Sequence, residues 1–190
     1  VDLVSTSSEG IDISIQNLDL RIDGDVVANR YGVSMDSFAV DTDYDYRLSL
    51  GETANVTSNT RFALYLGTNL TNTDLAFGNI SVTNDGEMTA FDRGAVLLFY
   101  ANQAVFSNSG SVITHATTSY FDAAVSIYSI KDSSFDNSGL IQRMHDTVGS
   151  SQHIAAVSFF GGVQSVSATN SGTILSSHIA FYSGATVSET

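Results

Sequence analysis

The stretch Phe106-Ser107-Asn108-Ser109-Gly110-Ser111-Val112 decides how this chain is read. Apolar residues stand two positions before the asparagine and four positions after it. Phe106, Asn108 and Val112 therefore share the parity of one face of an extended strand. The same frame surrounds Asn84-Asp85-Gly86, Asn137-Ser138-Gly139 and Asn170-Ser171-Gly172, with Val82, Phe135 and Ala168 before and Met88, Ile141 and Ile174 after. The four asparagines are separated by 24, 29 and 33 residues. Self-similarity at such a period marks a solenoid.

A second block accompanies the first. Phe62-Ala63-Leu64-Tyr65, Val96-Leu97-Leu98-Phe99, Val125-Ser126-Ile127-Tyr128, Val157-Ser158-Phe159-Phe160 and Ile179-Ala180-Phe181-Tyr182 all read apolar, variable, apolar, aromatic. From Val96 to Asn108 and from Val125 to Asn137 is 12 residues, and from Val157 to Asn170 is 13. From Asn108, Asn137 and Asn170 to the following block the distance is 17, 20 and 9 residues. A coil of fixed length with insertions at one corner behaves this way. Ser, Thr, Val, Ile, Phe and Tyr alternate, which favours strand over the leucine-dense or helical repeats of similar period. The expectation is an all-β chain of at least five stacked coils, a parallel β-helix.

The inward parity of the asparagines has a physical rationale. An isolated buried amide is costly, but in a stack each amide donates to the carboxamide oxygen of the next coil, and only end members lack a partner. The glycine two residues later is expected to supply a positive φ for the turn. Coils paired on both sides also account for the absence of proline from all 190 positions, because proline is confined to edges and bulges.

Phe106-Ser107-Asn108-Ser109-Gly110-Ser111-Val112 and Ala168-Thr169-Asn170-Ser171-Gly172-Thr173-Ile174 resemble the "NSGTI" repeats of Gram-negative autotransporter passenger domains and related haemagglutinin-type adhesins. The resemblance covers residues ~60–182 and implies a right-handed parallel β-helix, exported through the outer membrane to the cell surface or released. Unlike that family, the chain shows no long run of coils and no C-terminal membrane barrel, and it stops mid-coil at Ala185-Thr186-Val187-Ser188-Glu189-Thr190. That open edge suggests a fragment of a longer secreted parent.

Residues 1–60 carry 11 acids and 3 arginines, so −8 of the net charge of −13 lies there. The Asn-x-Gly marker is missing, although Ile11-Asp12-Ile13-Ser14-Ile15 and the run from Val40 to Leu50 alternate. This region is expected to be an acidic N-terminal cap or a set of divergent first coils, with residues 61–190 forming the regular coils. Asp41, Asp43, Asp45 and Glu52 fall at positions 1, 3, 5 and 12 of an EF-hand calcium loop, yet position 6 is Tyr46 and neither flank reads as helix. A strand with acids on its solvent face is the first reading, calcium held in some other geometry the second. Asp19 and Asp23-Gly24-Asp25 add oxygen ligands without a recognised spacing.

Composition excludes several functions. Twenty acids against seven bases leave no electrostatic footprint for nucleic acid. No apolar run approaches the ~20 residues that span a bilayer, so no membrane insertion is expected of this segment. The absence of cysteine removes disulfides, thiol catalysis and cysteine zinc sites.

Several candidates for chemistry remain. Asp92 and Asp122 precede the apolar blocks of adjacent coils, with Arg93 beside them, and could reach the carboxyl separation of a glycosidase; Asp132 and Asp136 form another pair. Neither pair forms a motif. His115, His145 and His178 follow their glycines by five, six and six residues and could meet at one corner as metal ligands. Tyr65, Phe99, Tyr128, Phe160 and Tyr182 form an aromatic column, either packed at a corner or turned outward as a platform for sugar rings. The expected function is a non-enzymatic extracellular scaffold or adhesin module presenting corner loops 89–94, 113–123 and 142–155 to a glycan or a host or cell-surface protein. A polysaccharide lyase or hydrolase, calcium-assisted or not, and a trimeric tailspike-like fibre are the alternatives.

Overall fold

The computed structural model describes residues 3–6, 8–13, 17–37, 44–68, 78–116, 123–128, 130–144, 155–177 and 179–184. The described elements are strands, three to each coil. The first coil comprises β1 (Leu3–Ser5), β2 (Ile11–Ile13) and β3 (Asn17–Ile22). The second comprises β4 (Asp25–Ala28), β5 (Val33–Ser37) and β6 (Tyr44–Leu50), and the third β7 (Asn55–Ser58), β8 (Leu64–Thr68) and β9 (Gly78–Asn84). Next come β10 (Glu87–Ala90), β11 (Val96–Phe99) and β12 (Gln103–Asn108), then β13 (Ser111–Thr114), β14 (Val125–Tyr128) and β15 (Asp132–Asn137). The sixth coil is β16 (Leu140–Arg143), β17 (Ala155–Phe160) and β18 (Ser165–Asn170), followed by β19 (Thr173–Leu175) and β20 (Ile179–Ser183).

Every third strand pairs in parallel. The first sheet runs β1-β4-β7-β10-β13-β16-β19, the second β2-β5-β8-β11-β14-β17-β20 and the third β3-β6-β9-β12-β15-β18. The chain is thus a parallel β-helix, as the repeat implies. The acidic first sixty residues join the same three sheets: β3 pairs with β6 and β6 with β9, with Ile22, Leu50 and Asn84 in one register column.

Alternate side chains of each strand point into the coil, and columns of like residues form the core. Leu48, Val82, Phe106 and Phe135 occupy successive rungs, all at most 2% exposed. The rings of Phe106 and Phe135 stack at 5.9 Å with planes 13° apart. Burying one such ring contributes up to ~3 kcal/mol.

The turn from the third sheet to the first is nearly constant, two residues in each coil after β9. The turn from the first sheet to the second varies, as the spacing implies. A second long connection was not foreseen: β8 and β9 are separated by residues 69–77, at the corner between the second and third sheets.

The register also differs from the block alignment read in the sequence. Val96 pairs with Leu64, so Leu97 sits beside Tyr65 and Phe99 beside Gly67. At the other end Tyr182 pairs with Ser158. Only Phe99, Tyr128 and Phe160 share one column. The pattern of apolar, variable, apolar, aromatic repeats within itself every two residues, so a two-residue slip keeps its parity and is invisible to periodicity.

Candidate functional site

The Asn-x-Gly corner is held from within by a ladder of side-chain amides. Asn84 Nδ2 donates to Asn108 Oδ1, Asn108 Nδ2 to Asn137 Oδ1 and Asn137 Nδ2 to Asn170 Oδ1, each at 2.7 Å. Each of the last three amides also donates to the carbonyl of its own glycine, at 3.2 to 3.3 Å. Asn84, Asn108 and Asn137 are buried. The glycines Gly86, Gly110, Gly139 and Gly172 do not supply a positive φ, because among described residues only Gly161, Gly162 and Tyr100 have one. Their requirement is close approach. A Cβ on Gly110 would lie 2.0 Å from the carbonyl oxygen of Gly86, and one on Gly139 2.1 Å from that of Gly110. The expectation of a left-handed turn is therefore corrected to one of backbone stacking.

A second column supports the opposite corner. Ser58 Oγ donates to the Arg30 carbonyl and accepts from Arg61 N at 3.1 Å. Two coils on, Thr114 Oγ1 donates to the Arg93 carbonyl and accepts from Ala116 N at 3.1 Å. In the next coil Arg143, only 4% exposed, sends Nη2 to the Ala116 carbonyl at 3.1 Å. In each case the last inward residue of a first-sheet strand holds the corner of the coil before it. Sequence reasoning missed these residues. Their signal was available as polar side chains at an inward register otherwise held by Ala28 and Ala90.

Beyond that inner column, Phe91, His115 and Met144 extend the first sheet by one residue. Their N–H groups donate to the carbonyls of Ser58, Ala90 and Thr114 at 3.0, 2.9 and 2.8 Å. Their side chains have outward parity, and Phe91 and Met144 are each 48% exposed. Phe91 and His115 stack at 4.9 Å with planes 16° apart. Ile113 and Leu175 lie on the same outer face, Leu175 exposed and Ile113 half-buried. These three residues stand at the starts of the variable corner connections.

The aromatic column read from the sequence lies on the outer side of the second sheet. Leu97 and Phe99 alternate with the core residues Val96 and Leu98 and belong to a separate apolar cluster with Phe62, Tyr31, Tyr65, Tyr100 and Tyr128. Rings touch in sequence: Tyr31–Tyr65 at 4.8 Å, Tyr65–Phe99 at 4.5 Å and Tyr128–Phe160 at 5.0 Å, all tilted. Phe99 lies over Gly67, and Tyr128 over Gly161, whose φ of +72° and lack of a Cβ leave room for the ring. Phe99 is buried, while Tyr65, Tyr128, Phe160 and Tyr182 are half-buried. The Tyr100 hydroxyl donates to that of Tyr128 at 3.4 Å. That hydrogen bond, with burial and the neighbouring phenol's charge, pushes the Tyr100 hydroxyl up to about 12.

The third sheet's outer face is polar. Its rungs read Asn79-Ser81-Thr83, Gln103-Val105-Ser107, Asp132-Ser134-Asp136 and Ser165-Ser167-Thr169. Asp132 and Asp136 are exposed there, and Thr169 donates to Asp136. At the N-terminal end of this face an open groove of about 250 Å³ is lined by Asn17, Leu18, Asp19, Asp45 and Arg47. Arg47 pairs with Asp45 at 2.7 Å, and Asn17 Oδ1 accepts from Asp45 N at 3.1 Å. Asp23 pairs with Arg21 at 2.8 Å, and the guanidinium holds this carboxyl below its ordinary range.

Of the calcium candidates, Asp41 and Asp43 lie outside the described residues, and Asp45 and exposed Glu52 are the described members. Asp92 is exposed, whereas Asp122 lies outside the described residues. The same holds for His145 and His178, so the structure describes only His115 of the histidine set, stacked on Phe91. Among the described residues, no group of three His, Asp or Glu is close enough to hold a metal ion. Comparison with protein-family models, with curated proteins and with solved structures finds no significant match to this chain.

Proposed function

We propose that the chain is a non-enzymatic scaffold or adhesin module that presents its corner connections to a glycan or to a host or cell-surface protein. The observation that supports this is the outward column Phe91, His115 and Met144, which rises at the start of three variable connections on a backbone held from within. Rigid sheets with exposed aromatic and thioether side chains at their loops suit recognition without chemistry. An aromatic face takes the C–H side of a sugar ring. On this reading the module works outside the cell, as part of a secreted protein of a Gram-negative bacterium, and the likeness of its Asn-Ser-Gly repeats to those of autotransporter passengers supports it.

The test uses acidic and neutral polysaccharides immobilised and in solution. Binding without release of reducing ends or unsaturated products is the expected outcome, and Phe91→Ala with Met144→Ala should weaken it about ten-fold or more. Catalytic turnover would replace this reading with that of a β-helix lyase or hydrolase.

A further inference from the structure

Three of the chain's six arginines, Arg30, Arg61 and Arg93, fall in one column at the corner between the first and second sheets. Each stands three residues before an inward apolar residue of the second sheet, and those residues, Val33, Leu64 and Val96, pair in register. The backbone keeps the register through the corner. Gly32 N donates to the Phe62 carbonyl at 3.2 Å, Val33 N to that of Ala63 at 2.8 Å and Leu64 N to that of Ala95 at 2.8 Å. The three arginines therefore follow one another coil by coil, about 5 Å apart along the stack.

The buried hydroxyls of the first sheet hold the backbone of all three. Ser58 Oγ donates to the Arg30 carbonyl and accepts from Arg61 N, and Thr114 Oγ1 donates to the Arg93 carbonyl. Elsewhere the chain neutralises exposed arginines locally. Arg21 pairs with Asp23 at 2.8 Å and Arg47 with Asp45 at 2.7 Å, in each case a carboxylate two residues along the chain. In the corner column like charges follow like charges instead, which destabilises neighbouring rungs. Among the described residues Arg61 makes no ion pair, and it is half-buried with an arginine in the coil on either side. Arg30, 5.4 Å from the centroid of the Tyr31 ring, holds the Glu9 carboxylate at 3.2 Å. The column thus already takes one carboxylate, supplied by the chain itself.

We infer that Arg61 and Arg93 bind the carboxylate of an acidic glycan whose apolar side lies on Phe91, two residues before Arg93. This inference rests on the recognition role of the Phe91, His115 and Met144 column and names the class of sugar it takes. A guanidinium presents two parallel N–H donors to the two oxygens of a planar carboxylate, so it fixes orientation as well as charge. A bound carboxylate offsets the repulsion within the column, and a site kept for function at some cost in stability is an ordinary compromise. A chain of net charge −13 repels a dense polyanion at long range. The ligand is accordingly a glycan with uronate sugars set among neutral ones.

Calorimetric titration of the 190-residue protein compares three trisaccharides: one with a single uronate, its carboxyl-reduced neutral counterpart and a counterpart with sulfate in place of the carboxylate. The uronate form should bind about ten-fold or more tightly than the neutral one. Arg61→Gln should remove that difference and raise the melting midpoint of the unliganded protein, since a like charge is gone. Arg61→Lys keeps the charge without the fork and should bind less tightly than the parent. Arg47→Gln, which removes an arginine outside the column, should leave the affinity unchanged. Phe91→Ala should weaken all the sugars alike and so tests the recognition role separately. Equal binding of the neutral trisaccharide, equal loss in Arg47→Gln and Arg61→Gln, or preference for sulfate overturns the inference and leaves recognition at Phe91 standing. Binding of none of the three also overturns it. Cleavage of the sugar overturns the non-enzymatic reading instead, and the arginine column is then judged by Arg61→Gln. If Arg61→Gln fails to fold, Arg93→Gln takes its place.

Discussion

The first two coils and the next four close the same corner in two chemically different ways. In the early coils the inward corner position is Ile22 and then Leu50, buried at 6% and 1% exposure. From Asn84 onward it is an amide at every rung. An apolar corner needs no partner and tolerates any rung spacing that keeps contact. An amide corner is satisfied only when the next amide sits in hydrogen-bond reach, so it ties the coils to one register. The junction exposes the cost: Asn84 Oδ1 faces the Leu50 rung and, among the described residues, finds no donor. The ladder's orphan thus lies inside the stack, where the chemistry changes, rather than only at its tip.

The largest expected effect comes from the glycine that lets the amide coils approach. Gly110→Ala sets a Cβ against the Gly86 carbonyl, where only backbone movement relieves it, and should cost about 3–5 kcal/mol in denaturant unfolding. A loss below about 1 kcal/mol would show that the corners can spread apart and that the ladder does not hold them.

Next in size is the ladder itself. Asn108→Leu removes the donor to Asn137 Oδ1 and the acceptor for Asn84 Nδ2, and should cost about 2–4 kcal/mol. Asn170→Leu, at the exposed end, removes one such partner and should cost about 1 kcal/mol or less. Equal losses at the two sites, read from unfolding midpoints, would break the distinction between an interior and an end amide.

The smallest effect sharpens the junction. Leu48 and Leu50 are buried alike, at 2% and 1% exposure, but only Leu50 neighbours a ladder amide. Leu50→Asn should therefore be less destabilising than Leu48→Asn by about 1–2 kcal/mol, because the new amide can donate to Asn84 Oδ1. If the two substitutions cost the same, the ladder cannot be extended into the early coils.

Much of this was legible before any coordinates. The inward parity of Asn84, Asn108, Asn137 and Asn170 follows from apolar neighbours at even offsets, and the ladder follows from the cost of burying an amide alone. The role of the glycines was misread because a sequence marks glycine as special without saying whether φ or proximity is the reason. The aromatic column slipped by two residues at Tyr65 and Tyr182 because a strand pattern is unchanged by such a slip. The column Phe91, His115, Met144 has a signal, since each residue stands seven positions after its ladder asparagine, but the three side chains share no residue type and each opens a connection whose length differs from coil to coil. Arg143 was hidden for a related reason, since a basic residue at the end of a strand reads as solvent-facing until its register column is known.

By itself, then, the chain's sequence determined that it coils as stacked strands, where its constant corner lies and which amides line it, because these depend on local parity and on the free energy of burying polar groups. The tertiary structure decided which residues of neighbouring coils lie side by side. It placed Gly67 and Gly161 beneath aromatic rings and set Leu50 against Asn84. Those outcomes depend on register between segments 22 to 34 residues apart, and register is settled by the summed packing of a whole rung rather than by any one residue's preference.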